Sequence, residues 1–63
     1  MTFGDKLRSL RENAGLSQLK LAKELGLGAS TIGQYEKNRR EPNFQRLKKI
    51  KNYFKINSWN YLL

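Results

Sequence analysis

Sixty-three residues with a formal charge of +8 bound the answer first: this is one small domain whose core depends on well-packed short elements. Cysteine and histidine are both absent, which excludes disulfides, the usual zinc sites and nucleophilic chemistry built on either residue. No apolar run approaches the ~18 to 20 residues of a membrane span, and the N-terminal MTFGDKLRSLRE carries no signal-peptide core.

Thr2 and Asp5 have the spacing of a reciprocal capping box, so a first helix begins near Phe3. Phe3, Leu7, Leu10 and Ala14 then share one face, and Gly15 closes the helix. Ser17 is the N-cap of a second helix, with Leu16 and Leu21 placed as a hydrophobic staple. Leu21, Ala22 and Leu25 point inward, and Gly26 supplies the left-handed stop. Lys20 and Glu24 form an i, i+4 pair towards solvent, while Leu19 lies off the apolar face. After Leu27-Gly28 a third helical pattern starts. Ile32 and Tyr35 point one way; Ser30, Gly33, Gln34 and Lys37 point the other.

Asn38 is a left-handed C-terminal residue for that helix, and Pro42 fixes the approach to the next. Asn43 caps a fourth helix over 44–54, with Leu47, Ile50 and Phe54 inward and Gln45, Lys48, Lys49 and Asn52 outward. Ile56 continues the core. A last short helix from Asn57 or Ser58 adds the apolar bulk of Trp59, Tyr61 and Leu62. The expected architecture is all-α, a single domain over 1–63 made of five short helices.

Two features turn this architecture towards function. Residues 1–36 have a net charge of +1 and residues 37–63 a net charge of +7, which points to a polyanion, nucleic acid before anionic lipid. Charge alone would equally suit lysines that merely solvate a small domain. The third helix decides between them, because one core-facing side opposite a side of small polar groups and a cation suits a DNA major groove. Arg11 and Glu36 both lie beside core positions, where an unpaired charge is costly, so the two are expected to form a salt bridge.

Three stretches carry a family resemblance. The pattern LRxLRExxGLSQxxLAxxLG over 7–26, STIxxYExxxREP over 30–42 and SWNYLL over 58–63 together resemble the XRE-like helix-turn-helix domains of lambdoid repressor and Cro type. The resemblance implies a compact five-helix, lambda-repressor-like DNA-binding domain with its helix-turn-helix at about 18–37. It implies binding of double-stranded operator DNA, commonly as a homodimer on a palindrome, by a cytoplasmic, bacterial or phage-encoded transcriptional regulator of repressor type. Carried over by position, it puts Gly28, Ala29, Ser30, Gly33 and Gln34 at the bases, with Gln34 suited to pair with adenine. It puts Gln18 at a phosphate, where helix-start amides favour anions. Thr31, Lys37, Arg39, Arg40 and Asn43 are the remaining expected phosphate contacts. Lys48, Lys49, Lys51 and Lys55 are assigned to solubility and steering.

The chain departs from the pattern in places. Gly28 stands where a Ser or Thr cap is usual, Gly33 occupies the middle of the third helix, Lys20 stands where an acid is common, and the connection over 55–58 is one residue longer. A ridge so poor in long polar side chains leaves much of the specificity to DNA shape or to close approach of bare backbone. No cofactor, metal or small-molecule ligand is indicated. A protein-binding regulatory module or antitoxin-type partner on the same scaffold is the second reading, with Leu19 and Trp59 as its contact surface. A membrane-active peptide does not fit a chain broken by Gly26, Gly28, Asn38 and Pro42. Enzymatic activity is not expected either, since the five acids are dispersed.

Overall fold

The computed structural model describes residues 2–56, and within them the chain forms four helices and no strand. They are α1 (Phe3–Asn13), α2 (Gln18–Leu25), α3 (Thr31–Glu36) and α4 (Phe44–Tyr53). The expected fifth helix, with Trp59, Tyr61 and Leu62, lies outside the described residues. Leu7, Leu21, Ala22, Leu25, Ile32, Tyr35 and Ile50 are the buried core, and Phe3, Leu10, Leu16, Leu27, Leu47, Phe54 and Ile56 pack against it. Each fully buried aliphatic side chain adds roughly 1.5–3 kcal/mol over its exposed state. Ala14 departs from its expected place: α1 has ended by then, and the residue is exposed at the C-cap.

The local signals at the helix starts are realised as hydrogen bonds. Thr2 and Asp5 complete a reciprocal capping box, Ser17 Oγ accepts from the Lys20 N–H, and Asn43 Oδ1 accepts from the Arg46 N–H. The helix ends share one device. Gly15, Gly26, Asn38 and Lys55 all adopt positive φ, and each donates its N–H to the carbonyl three residues back. The following residue donates to the carbonyl five back: Leu16 to Arg11, Leu27 to Ala22, Arg39 to Gln34 and Ile56 to Lys51, at 2.8 to 3.1 Å. These are Schellman motifs, which satisfy end carbonyls that the helix itself leaves open. Three of the four following residues, Leu16, Leu27 and Ile56, then turn back into the core.

Asn38 does more than end α3. Its Oδ1 accepts the Gly4 N–H at 3.1 Å, and its Nδ2 donates to Thr2 Oγ1 at 3.0 Å, so the left-handed residue just beyond α3 caps the N-terminus of α1. The two helices meet so closely that a Cβ on Gly4 would stand 2.5 Å from the Glu36 carbonyl oxygen and 2.6 Å from that of Tyr35. Backbone on both sides leaves nothing to move aside, which explains a glycine in the first turn of a helix.

Two left-handed positions thus invite the same substitution with opposite results. Asn38→Gly keeps the backbone relaxed but removes both bonds to α1, and should lower stability by about 1–2 kcal/mol. The exposed Lys55 makes no such bond among the described residues, so Lys55→Gly should raise stability by about 0.5–1 kcal/mol by removing the left-handed penalty. Urea unfolding of both variants measures the pair.

Candidate nucleic-acid interface

The site is built on a helix too short to stand alone. α3 has six residues, and isolated helices of that length do not form in water. Its fixed points are tertiary. Ile32 and Tyr35 anchor it in the core, and the Phe3 ring meets Tyr35 edge-on at 6.2 Å. The Tyr35 hydroxyl, otherwise a stranded polar group, accepts from Arg46 Nη1 at 3.2 Å. At the C-terminal end, Glu36 forms the expected pair with Arg11: Nε to Oε2 at 2.6 Å and Nη2 to Oε1 at 3.1 Å. Arg11 Nη1 also donates to the Leu16 carbonyl at 2.8 Å, so one guanidinium ties α1, the α1–α2 turn and α3 together. The two side chains are only 12% and 5% exposed. The hydrogen bond to Glu36 raises the Arg11 pKa further above its already high ordinary value, against the opposing effect of burial.

The opposite side of α3 faces outward. Ser30, just before the helix but already in helical backbone conformation, is exposed, as are Gly28, Ala29 and Lys37; Thr31, Gly33 and Gln34 are half-buried. Ser30 makes no side-chain cap, so its hydroxyl stays uncommitted; the Thr31 N–H instead donates to the Gly28 carbonyl at 3.1 Å. Lys37, Arg39 and Arg40 follow as exposed cations, with no ion pair among the described residues. Of the sequence-based list, Gly28, Ala29, Ser30, Lys37, Arg39 and Arg40 are thus exposed, and Thr31, Gly33 and Gln34 are half-buried, in a stretch whose Ile32 and Tyr35 face the core. Asn43 stands apart at the start of α4 with its oxygen committed to its own helix and its amide nitrogen open to solvent. Gln18 is exposed at the start of α2, but its Nε2 donates to Glu36 Oε1 at 3.1 Å.

Four residues escaped sequence reasoning. Gly4 had a signal, since glycine inside a helix pattern often marks close approach. Asn38 and Arg46 act across 36 and 11 positions, where no local pattern reaches. Lys51 was assigned to solubility, yet it is only 4% exposed, and burial lowers its pKa from the ordinary lysine value. Among the described residues no three acids gather as they would around a metal ion.

A helix-turn-helix family model matches residues 7–58, which contain α2, the Gly26 turn, α3 and their supports. The chain belongs to the helix-turn-helix family. The relatives include the HTH-type transcriptional regulator ImmR of Bacillus subtilis, 33% identical over 63 residues, with 100% of this chain and 49% of the relative covered. The HTH-type transcriptional activator BcrR of Enterococcus faecalis is 34% identical over 56 residues, covering 89% of this chain and 28% of that protein. An SPbeta prophage-derived regulator of Bacillus subtilis, YonR, is 34% identical over 61 residues, with 97% and 56% covered. This helix-turn-helix chain thus spans about half the length of two of them and less of the third.

The Arg11–Glu36 pair should behave as architecture for the motif. Glu36→Ala leaves a nearly buried guanidinium without its counter-charge and should cost about 3–5 kcal/mol. Replacing both partners, Arg11→Met with Glu36→Leu, should cost distinctly less than either single change to alanine. Urea unfolding of the singles and the double is the check, and equal losses would mean the two side chains act independently.

Proposed function

We propose that this helix-turn-helix chain binds double-stranded DNA in a sequence-specific manner and regulates transcription, as a repressor acting in the cytoplasm. The observation that carries this reading is the outward stretch from Ser30 to Arg40: uncommitted polar groups on α3 followed by exposed cations with no protein partner among the described residues. Membership of a family whose relatives bear the names of transcriptional regulators and an activator supports it.

In this mechanism α3 enters the major groove. Gln34 is the direct reader, because its carboxamide pairs with the N6 and N7 edge of adenine. Ala29 meets a thymine methyl, and Ser30 bonds a nearby base edge, while Gly28 lets the backbone come close. Lys37, Arg39 and Arg40 hold phosphates on the flank, with Thr31 and the Asn43 amide nitrogen at the margins and the orphan backbone N–H of Gln18 at the start of α2. The outcome is occupancy of an operator; no bond is made or broken. A fifth helix over 58–63 completes a lambda-repressor-like domain, and two copies sit on a palindrome with half-site centres about 34 to 36 Å apart. Because Leu19 is an exposed leucine on α2, at 49%, the competing reading is a protein-binding module that uses this scaffold without DNA.

Selection of bound sequences from a random duplex pool at moderate salt separates the two. An enriched palindrome with fixed half-site spacing is expected; no measurable DNA affinity at low salt, with a partner protein bound through Leu19, Trp59 and the C-terminal apolar residues, would favour the protein-binding reading. On the enriched site, Gln34→Ala should relax preference at one base position per half-site with little change in salt dependence. Arg40→Ala should instead weaken matched and scrambled duplexes alike and make the slope of log K against log salt shallower by about 0.9.

A further inference from the structure

The centre of the α3 ridge has no side chain, and another helix covers the gap. The three nearest side-chain atoms that a Cβ built on Gly33 would meet all belong to Gln18: its Oε1 at 3.3 Å and its Cδ and Nε2 at 3.7 Å. The Gln18 carboxamide from α2 therefore lies over Gly33, in the space where a residue of α3 would otherwise project.

Its orientation follows from its partner. An ionised carboxylate only accepts hydrogen bonds, so the group facing Glu36 Oε1 must be the amide nitrogen, here at 3.1 Å. Glu36 cannot turn away to suit it, because both of its oxygens are held by Arg11. The chain Arg11, Glu36, Gln18 thus fixes which end of the amide is which and leaves Oε1 beside Gly33. Among the described residues no donor reaches that oxygen, and Gln18 is exposed.

We propose that Gln18 Oε1 is a base-reading group that takes the place of the missing Gly33 side chain and accepts an exocyclic amino group in the major groove. Adenine N6 and cytosine N4 are the only base-edge amino donors there, so the base read is one of these two. The inference rests on the DNA-binding reading above and adds to it a second-helix residue whose side chain specifies, while its backbone N–H still serves a phosphate. Gly33 is then an adaptation for readout: any larger residue displaces the reader.

The test is random-pool selection with the wild-type chain, Gln18→Met and Gly33→Ala, each checked for folding by its thermal transition. Gln18→Met keeps the length and apolar contact but removes the acceptor. Gly33→Ala favours the helix by propensity, so its transition should not fall, yet its methyl group pushes Oε1 aside. Both variants should lose, roughly tenfold, the preference for adenine or cytosine at the same single position of each half-site, a position other than the one read by Gln34. In the wild type, replacing that base with its analogue lacking the amino group should give a similar loss, and in Gln18→Met none. The adenine and cytosine analogues distinguish the two donors. A uniform loss on all duplexes with a shallower salt slope would make Gln18 a phosphate contact and overturn the proposal. So would relaxation at different positions in the two variants, or no change in either. A wild-type chain that enriches no sequence would overturn the DNA-binding reading itself, a distinct result.

Discussion

One carboxylate holds α3 in place. Glu36 closes the last turn of a six-residue helix, and its two oxygens receive three donors from two other elements: Arg11 Nε and Nη2 from α1, and Gln18 Nε2 from α2. A helix of this length has no cooperative stability of its own, so its conformation is only as good as its external attachments. The apolar contacts of Ile32 and Tyr35 fix the depth of α3 against the core, but they are non-directional. A bidentate guanidinium–carboxylate pair adds direction, because its two parallel bonds tolerate little rotation. What reaches solvent on the far side of α3 is therefore set by an interaction on the near side.

The second constraint is the head-to-tail meeting of α3 with α1. Carbonyls at the end of α3 and amides at the start of α1 are both groups that a helix leaves unsatisfied. Asn38 answers part of each need, with its backbone in the C-terminal motif of α3 and its side chain on Gly4 and Thr2. Gly4 permits the approach, and Asp5 puts a negative charge in the first turn of α1, where helix amides favour it. The two ends satisfy one another across a contact that admits no extra methyl group. This is why α1, which carries none of the outward stretch, helps to set the position of α3.

Much of this was legible in the sequence, and the boundary falls at a physical line. Helix starts are written in local chemistry, as at Thr2, Ser17 and Asn43, and each cap is made as expected. The Arg11–Glu36 pair, 25 positions apart, was also legible, because two opposite charges beside the same core have few other ways to be satisfied. Contacts of exposed or flexible side chains were not. Gln18 reads as a phosphate contact at the start of α2, and nothing local says that its side chain bends back over Gly33; Arg46 on the Tyr35 hydroxyl is the same kind of event. Lys51 marks the limit of charge counting, since a long aliphatic stem allows a formally basic residue to be drawn into the core. Gly33 was legible as a gap in the ridge, but what fills the gap was not.

Net charge therefore overstates the number of groups that can meet a polyanion, and position matters more than total. Of the cations in the basic half, Lys37, Arg39 and Arg40 stand where α3 ends, so they also face the negative pole of that helix before any ligand arrives. That attraction is weak, on the order of 0.3–1 kcal/mol per charge at an exposed site and smaller for so short a helix. It favours keeping them near the end of α3 at little energetic cost, and it does not neutralise them. They are exposed, and they follow directly on a helix that Glu36 ties to α1 and α2. In the proposed DNA complex, charge on the flank would give affinity that falls with salt, and hydrogen-bonding groups on the ridge would give the difference between one sequence and another.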